Sequence, residues 1–316
     1  MNDFLVGDIG GSNSRFGLAG TLGDPERISV IANDSVPDLE TALAQYLRQT
    51  RAQPHAATLA VAGPIQGEEI SLTNRAWRFR RAELAHRFGF AQLRVINDFE
   101  ALAWSLPRLT AAHTRPLGDC ALRHEGAKLV LGPGTGLGVA ALLPSEGRWH
   151  AVASEGGHVS FGAQAQDEED LFRRVRGEYG AASAEMVLSG PGLLRLARAM
   201  YPDGAYDSPE SIVSQAHARQ ARALAVAGMF VRLLGRFAGG LALTFKALGG
   251  VYITGGVAAG LGRLLDDPQF RGAFEAHPPH QKLLKTIPTL LVTCEQPGLI
   301  GCAALAQMKA GPPARE

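Results

Sequence analysis

Leu5-Val6-Gly7-Asp8-Ile9-Gly10-Gly11-Ser12-Asn13-Ser14-Arg15-Phe16-Gly17-Leu18 opens on an apolar run with a carboxylate, passes a Gly-Gly pair with Ser and Asn, and leaves on a second apolar run. That order predicts a β-hairpin with a tight turn. Glycines in such a turn let backbone N–H groups approach a ligand without interference from Cβ, and loops of this kind commonly cradle phosphates. The same residues also suit a hairpin whose glycines only make the turn. Leu129-Val130-Leu131-Gly132-Pro133-Gly134-Thr135-Gly136-Leu137-Gly138-Val139-Ala140-Ala141-Leu142 repeats the plan of strand, small-residue turn with a hydroxyl, and strand. Two such hairpins suggest two related halves that each offer a turn to one ligand, as a nucleotide between two lobes would need.

At 316 residues the chain exceeds the usual size of a single core, so two lobes are expected. With 46% hydrophobic and 19% charged residues it has the balance of an ordinary globular protein rather than a disordered one. Net charge is +1 and no long basic run occurs, which argues against a nucleic-acid surface. The densest basic stretch, Arg75 to Arg87, is interrupted by Trp77, Phe79 and Leu84 and is expected to be a solvated helix face. The cysteines, Cys120, Cys294 and Cys302, form no CxxC pair, which fits a reducing compartment and none of the usual Cys-rich zinc spacings. Strand one starts by Phe4 with no basic-then-apolar leader, and the uncharged runs within Ala223–Leu248 are too short for a membrane span. A cytoplasmic protein without membrane partner is the expectation.

Strands alternate with helical patterns through the first third of the chain, as in an α/β lobe. Arg27–Asn33 is expected as a strand, and Leu39–Arg51 as a helix capped by Asp38. Ala57–Ala62 follows as a buried strand with Glu69–Leu72 pairing beside it, then Gln92–Ile96 runs into Asn97-Asp98-Phe99-Glu100. Thr110–Lys128 is polar and is read as the crossing between lobes. Asp167–Asp170 looks like acidic decoration of a helix start. Helices are expected over Ala184–Leu188, Leu193–Met200 and a broken run Ile212–Leu248, where Gly239-Gly240 suggests close helix contact. Val251–Ala258 is a buried strand ending in Gly255-Gly256 before a helix, and a final helix from Ile300 packs back on lobe one. The expected division is residues 1–109 with the C-terminal helix 299–316, and residues 110–298.

Asp98 stands at the carboxyl end of a strand before a helix, where α/β folds place catalytic groups. A carboxylate there can accept a proton from a hydroxyl attacking a phosphoryl group, or it can simply cap the helix. Glu155 and His158 flank Gly156-Gly157, so a bent backbone can turn both toward one point suited to sugar hydroxyls, or leave both in a surface turn. Glu185 alone reads as a first-turn helix glutamate. No G-x-x-x-x-G-K-[ST] occurs, and Leu137 and Val139 stand where a G-x-G-x-x-G fingerprint would need glycine, which disfavours P-loop and dinucleotide enzymes.

Taken in order, Gly7-Asp8-Ile9-Gly10-Gly11-Ser12-Asn13-Ser14-Arg15, Ile96-Asn97-Asp98-Phe99, Gly134-Thr135-Gly136-Leu137-Gly138, Glu155-Gly156-Gly157-His158, Ser183-Ala184-Glu185 with Leu188–Gly192, and Thr254-Gly255-Gly256 resemble the bacterial glucokinases of the hexokinase type. The resemblance runs from Leu5 to about Ala304. It implies the two-lobed actin-like ATPase (ribonuclease H-like) α/β fold with a ligand cleft between lobes. It also implies ATP-dependent phosphorylation of glucose at the 6-hydroxyl, the entry step of glycolysis. Asp98 matches the family's catalytic base, and Asn97, Asp98, Glu155, His158 and Glu185 match its sugar-binding residues. Gly7, Asp8, Ile9, Gly10, Gly11 and Ser12 match the first phosphate loop, with Asp8 near Mg²⁺ through water. Gly134, Thr135 and Gly136 match the second phosphate loop, and Gly255 and Gly256 lie where the adenosine end is held. A homodimer is implied as well. Ser12 stands where the family most often has Thr, so the hydroxyl is kept. The Cys-rich zinc motif of the ROK branch is lacking, which places the chain outside that branch. Other hexoses or amino-sugars as substrate, and a catalytically weak sugar-binding regulator, stay open as alternatives.

Overall fold

The computed structural model describes residues 4–308 apart from 22, 74, 122–124 and 205. These residues form two compact units, one made of the chain up to Leu109 together with the stretch from Glu295, the other of Thr110–Cys294.

In the first unit β1 (Phe4–Ile9) and β2 (Asn13–Ala19) make the expected hairpin, with Asp8 opposite Arg15. β3 (Glu26–Ala32) joins antiparallel outside β2. α1 (Leu39–Thr50) follows, its start capped by Asp38, which accepts the Thr41 N–H at 2.7 Å. That bond satisfies one of the free donors every helix start carries. β4 (Ala56–Val61) is buried at every position and lies parallel to β1, as a continuous apolar run in a covered sheet should. β5 (Glu69–Ser71) and β6 (Arg78–Arg80) form a separate ribbon, followed by α2 (Arg81–Phe88), β7 (Gln92–Asn97) and α3 (Asp98–Ser105). The expectation that Glu69–Leu72 pairs beside β4 is corrected here, since β1 and β7 already occupy both edges of β4. The Arg75–Arg87 stretch likewise is more than a helix face. It opens with Arg75, which pairs with Asp34 at 2.7 Å and stacks on Trp77, and its middle is β6.

The resulting sheet has the order β3-β2-β1-β4-β7. A C-terminal helix, Pro297–Gln307, closes the unit by burying Leu299, Cys302 and Ala303 with Val6, Ala60, Ile96 and Ala101. Its backbone nearly touches α3, for a Cβ on Gly301 would run into the Ala101 carbonyl.

The second unit opens with β8 (Thr114–Pro116), so the stretch read as a crossing contributes an edge strand. β9 (Lys128–Pro133) and β10 (Leu137–Ser145) make the second hairpin, and β11 (Arg148–Ser154) continues it antiparallel. Helices α4 (Gln166–Tyr179), α5 (Ala184–Val187), α6 (Gly190–Met200), α7 (Pro209–His217) and α8 (Ala221–Thr244) follow. Then come β12 (Val251–Ile253), α9 (Gly256–Leu261), α10 (Pro268–Glu275), α11 (Gln281–Leu284) and β13 (Thr289–Val292). The sheet order is β11-β10-β9-β12-β13-β8. Its first five strands repeat the plan of the first unit, an antiparallel three-stranded meander extended by parallel strands.

α8 has the length and apolarity of a membrane span, but two-thirds of its most apolar window is buried inside the unit (67%). Gly239 meets the Phe274 carbonyl of α10 directly, which is the close helix contact the Gly-Gly pair suggested. The acidic run at the start of α4 is a second correction. Glu168 is buried and ion-paired with Arg236 of α8, so it is a core group rather than surface decoration.

Candidate active site

In the first unit the β1–β2 turn carries Gly10, Gly11 and Ser12, with Ser12 exposed. Gly10 N–H donates to the Asn13 carbonyl at 3.0 Å. The fully buried Asn33 side chain holds the turn from inside. Its Nδ2 donates to the carbonyls of Gly10 (2.8 Å) and Gly11 (3.1 Å), and its Oδ1 accepts from Ser14 Oγ at 2.7 Å. Arg75 Nη1 also donates to the Gly11 carbonyl at 3.2 Å. Drawing these carbonyls inward suits a turn that meets an anion, because an outward carbonyl would repel phosphate.

Gly7 and Ile9 lie in the strand itself. The Ile9 side chain is in the core, and a Cβ on Gly7 would sit 2.7 Å from Leu59 Cδ2 and 3.3 Å from Phe16 Cδ1, so a larger residue there would crowd the buried Leu59 and Phe16 side chains. Asp8, between them, points its carboxylate at the first turn of the C-terminal helix. A Cβ on Gly298 would lie 2.8 Å from Asp8 Oδ2, so that glycine makes room for the acid. Burial pushes the Asp8 carboxyl above the usual carboxylate range, partly countered by the Arg15 charge.

β7 delivers Asn97 and Asp98 to the start of α3. Asn97 is the helix cap, its Oδ1 accepting from Phe99 N–H at 2.9 Å and Glu100 N–H at 3.3 Å while Nδ2 donates to the Gly63 carbonyl at 3.2 Å. Asp98 is therefore the first helical residue rather than the cap, though its Oδ1 also accepts from Phe99 N–H at 2.9 Å. Burial, and then the charge of Asp8, push Asp98 up to about 6 against these hydrogen bonds. A carboxyl titrating there is ionised at neutral pH yet able to take and hold a proton.

In the second unit the β9–β10 turn holds Gly134, Thr135 and Gly136. Gly134 N–H donates to the Gly136 carbonyl, and the Gly134 carbonyl accepts from Gly190 N–H at the start of α6, both at 2.8 Å. Glu185 of α5 packs against this turn. Its Oε2 accepts Leu137 N–H at 2.8 Å, and a Cβ on Gly136 would lie 2.6 Å from that oxygen. His158 ends the short 3-10 turn Gly156–His158 after β11. Its Nδ1 is 3.4 Å from Glu155 Oε2 and its Nε2 is 3.5 Å from Glu185 Oε1. One imidazole thus stands between two carboxylates, with the Glu155 and His158 side chains exposed and Glu185 partly covered. Gly255, at a φ of +90°, brings the end of β12 against the Pro133 carbonyl, and Gly256 begins α9 in open space.

Each unit so gathers part of the expected set: Asp8, Asn97 and Asp98 with the first turn, and Glu155, His158 and Glu185 with the second. Sequence reasoning missed Asn33, Arg75 and Gly298, which hold or make room for the first group. Asn33 lies some twenty residues from the turn it anchors, so no local spacing marks it. Among the described residues no three His, Cys, Asp or Glu side chains form a metal cage. Mg²⁺ held by one or two carboxylates with phosphate and water needs no cage, and a hard oxygen donor such as the Asp8 carboxylate beside the first turn fits that use.

The family model described as Glucokinase matches residues 5–309. The bifunctional protein glk of Burkholderia lata is 40% identical over 308 residues, covering 95% of this chain and 48% of that protein. The chain thus spans about half the length of the first curated relatives it matches. The glucokinase of Agrobacterium fabrum is 38% identical over 313 residues, covering 97% of this chain and 92% of that one. Among solved structures, a glucokinase from an Antarctic psychrotroph superposes with a TM-score of 0.89 at 32% identity, covering 96% of this chain and 98% of that one. A glucokinase from Balamuthia mandrillaris in complex with glucose gives a TM-score of 0.78 at 22% identity, covering 97% and 94%, a likeness of fold alone.

Proposed function

The chain belongs to the glucokinase family, and from that premise we propose that it transfers the γ-phosphoryl group of ATP to the 6-hydroxyl of D-glucose. The observation that carries the proposal is Asp98, a partly buried carboxyl raised to about 6 whose helix-capping duty has passed to Asn97. In the reaction the sugar 6-oxygen bonds to the γ-phosphorus and the bond to the β–γ bridging oxygen breaks. The hydroxyl proton passes to the Asp98 carboxylate, leaving glucose 6-phosphate and ADP. Base catalysis of this kind is worth about 10²–10⁴-fold.

Asn97, Glu155, His158 and Glu185 would bind the sugar hydroxyls, the acidic oxygens accepting and His158 donating or accepting. The Gly10–Ser12 and Gly134–Gly136 turns would hold the phosphates through backbone N–H groups, and Gly255 with Gly256 would meet the adenosine end. Mg²⁺, when bound, neutralises charge on the transferring phosphate, and Asp8 would hold it through water. Gly7 and Ile9 would support the first turn from within the strand. A cytoplasmic homodimer feeding glycolysis accompanies this proposal.

Phosphoryl transfer from Mg-ATP to a panel of hexoses, with glucose, mannose and an amino-sugar included, tests it. Turnover strongly favouring glucose is the expected result. Turnover mainly on another sugar would keep the chemistry and replace the substrate. Glucose binding without turnover on any sugar would overturn the proposal in favour of a regulator.

A further inference from the structure

His158 and Glu185 are joined through the backbone as well as through their side chains. The segment just after His158 runs beside the segment just before Glu185. Ala184 N–H donates to the Val159 carbonyl at 3.1 Å, Phe161 N–H donates to the Ala182 carbonyl at 3.0 Å, and Ser160 and Ser183 form a bridge between them. Whatever holds residues 159–162 therefore holds both ligating side chains in register.

What holds them is a buried ion pair. Arg236, in the middle of α8, donates through Nη2 to the Gly162 carbonyl at 2.5 Å and lays its guanidinium over the Phe161 ring at 4.5 Å. Its Nη1 meets Glu168 Oε2 at 2.5 Å, and that same oxygen accepts Gln164 N–H at 3.0 Å. Arg232, one turn earlier on α8, backs the carboxylate at 3.3 Å and pairs with Asp167 at 2.7 Å. Arg236 is 6% and Glu168 2% exposed.

Stability alone does not account for this arrangement. A buried ion pair is often no better than apolar residues of similar volume, and Arg236 Nε is buried without a hydrogen-bond partner. The clamp grips three residues of one segment, Phe161, Gly162 and Gln164, from two helices, and that segment follows directly on His158. We propose that Arg236 and Glu168 are positioning residues that fix the segment 159–164, and through it the His158–Glu185 pair, for sugar binding. This rests on the sugar-binding role proposed above for those two side chains.

Glu168→Gln tests it, since it keeps the shape and an acceptor for Gln164 N–H but removes the charge that orients Arg236. The expected result is a sugar KM raised about tenfold with the ATP KM nearly unchanged, the pattern of lost sugar binding rather than lost chemistry, together with a lowered melting temperature because Arg236 is left buried without its partner charge. Glu168→Leu with Arg236→Met replaces the pair by apolar groups. It is expected to fold at least as stably as the parent and to show the same sugar defect. An unchanged sugar KM in these folded variants, or sugar and ATP KM rising together, would overturn the proposal. Amide exchange gives a reading that does not depend on catalysis. Residues 158–164 and 182–185 should exchange faster in Glu168→Gln while β9 and β12 do not, and unaltered exchange there would also overturn it. A parent protein inactive on every hexose would fail the kinase proposal without touching this second measurement.

Discussion

The chemistry proposed for Asp98 rests on a division of labour with its neighbour. Asn97 spends its amide oxygen on the two N–H groups at the helix start, and Asp98, one position on, faces Asp8 and a partly dry surrounding that push it to about 6. Asp98→Asn should therefore lower turnover by about 10²–10⁴-fold while leaving sugar affinity close to the parent value, measured by kinetics and by direct titration with glucose. The kcat/KM profile should rise with pH through about 6 in the parent, as the carboxylate becomes free to accept a proton, and that limb should vanish in the variant. Stability moves the other way. Asp98 titrates above its ordinary 3.8 in the folded chain, so between the two values the folded state binds more protons than the unfolded one. Its contribution is fully present below 3.8 and is lost as pH rises through about 6. A denaturation series over that window should show a slope that Asp98→Asn removes.

The C-terminal helix, Pro297–Gln307, shows how one element can serve both packing and site. Its buried face, Leu299, Cys302 and Ala303, completes a small core over β1, β4 and α3. Gly301 lets the helix backbone meet the Ala101 carbonyl, and Gly298 leaves space for the Asp8 carboxylate. Gly301→Ala must push the helix off α3, an overpacking change that typically costs about 1–3 kcal/mol. Because the same displacement moves Gly298 away from Asp8, activity should fall together with the denaturation midpoint. A midpoint unchanged from the parent would show that the helix can shift freely. Both hairpins are legible from their Gly-containing turns between apolar runs, and α1 from Asp38 and its apolar spacing. α10 is not, because eight residues with two buried phenylalanines carry little periodic signal, and its backbone carbonyls at Phe270 and Phe274 meet Gly235 and Gly239 of α8, earlier in the chain. The pairing of β5 with β6 was equally hidden, since two three-residue strands carry almost no periodic signal.

Across the whole molecule, each unit has its own sheet and its own buried clusters, a large one about α8 in the second unit and two about the β3-β2-β1-β4-β7 sheet in the first. Glucose that binds only the folded chain should stabilise it by about 2.7 kcal/mol at a hundred times its dissociation constant. Scanning calorimetry should therefore show an upward shift of the melting transition with glucose. Asp98→Asn should keep that shift although it has lost turnover, and a shift abolished along with turnover would mean that Asp98 mainly binds. By itself, the sequence determined the two hairpins with their glycine turns, the alternation of strands and helices, and the family. It also singled out Asp98, Asn97, Glu155, His158 and Glu185 as candidates, because turns, caps and motifs are written in neighbouring residues. Only the tertiary structure decided that Asn33 anchors the first turn, that Gly298 makes room for Asp8, that Asp98 titrates near 6, and that Glu168 and Arg236 grip the segment beyond His158. Each of these depends on burial or on a partner tens to hundreds of residues away, and neither quantity exists until the chain has packed.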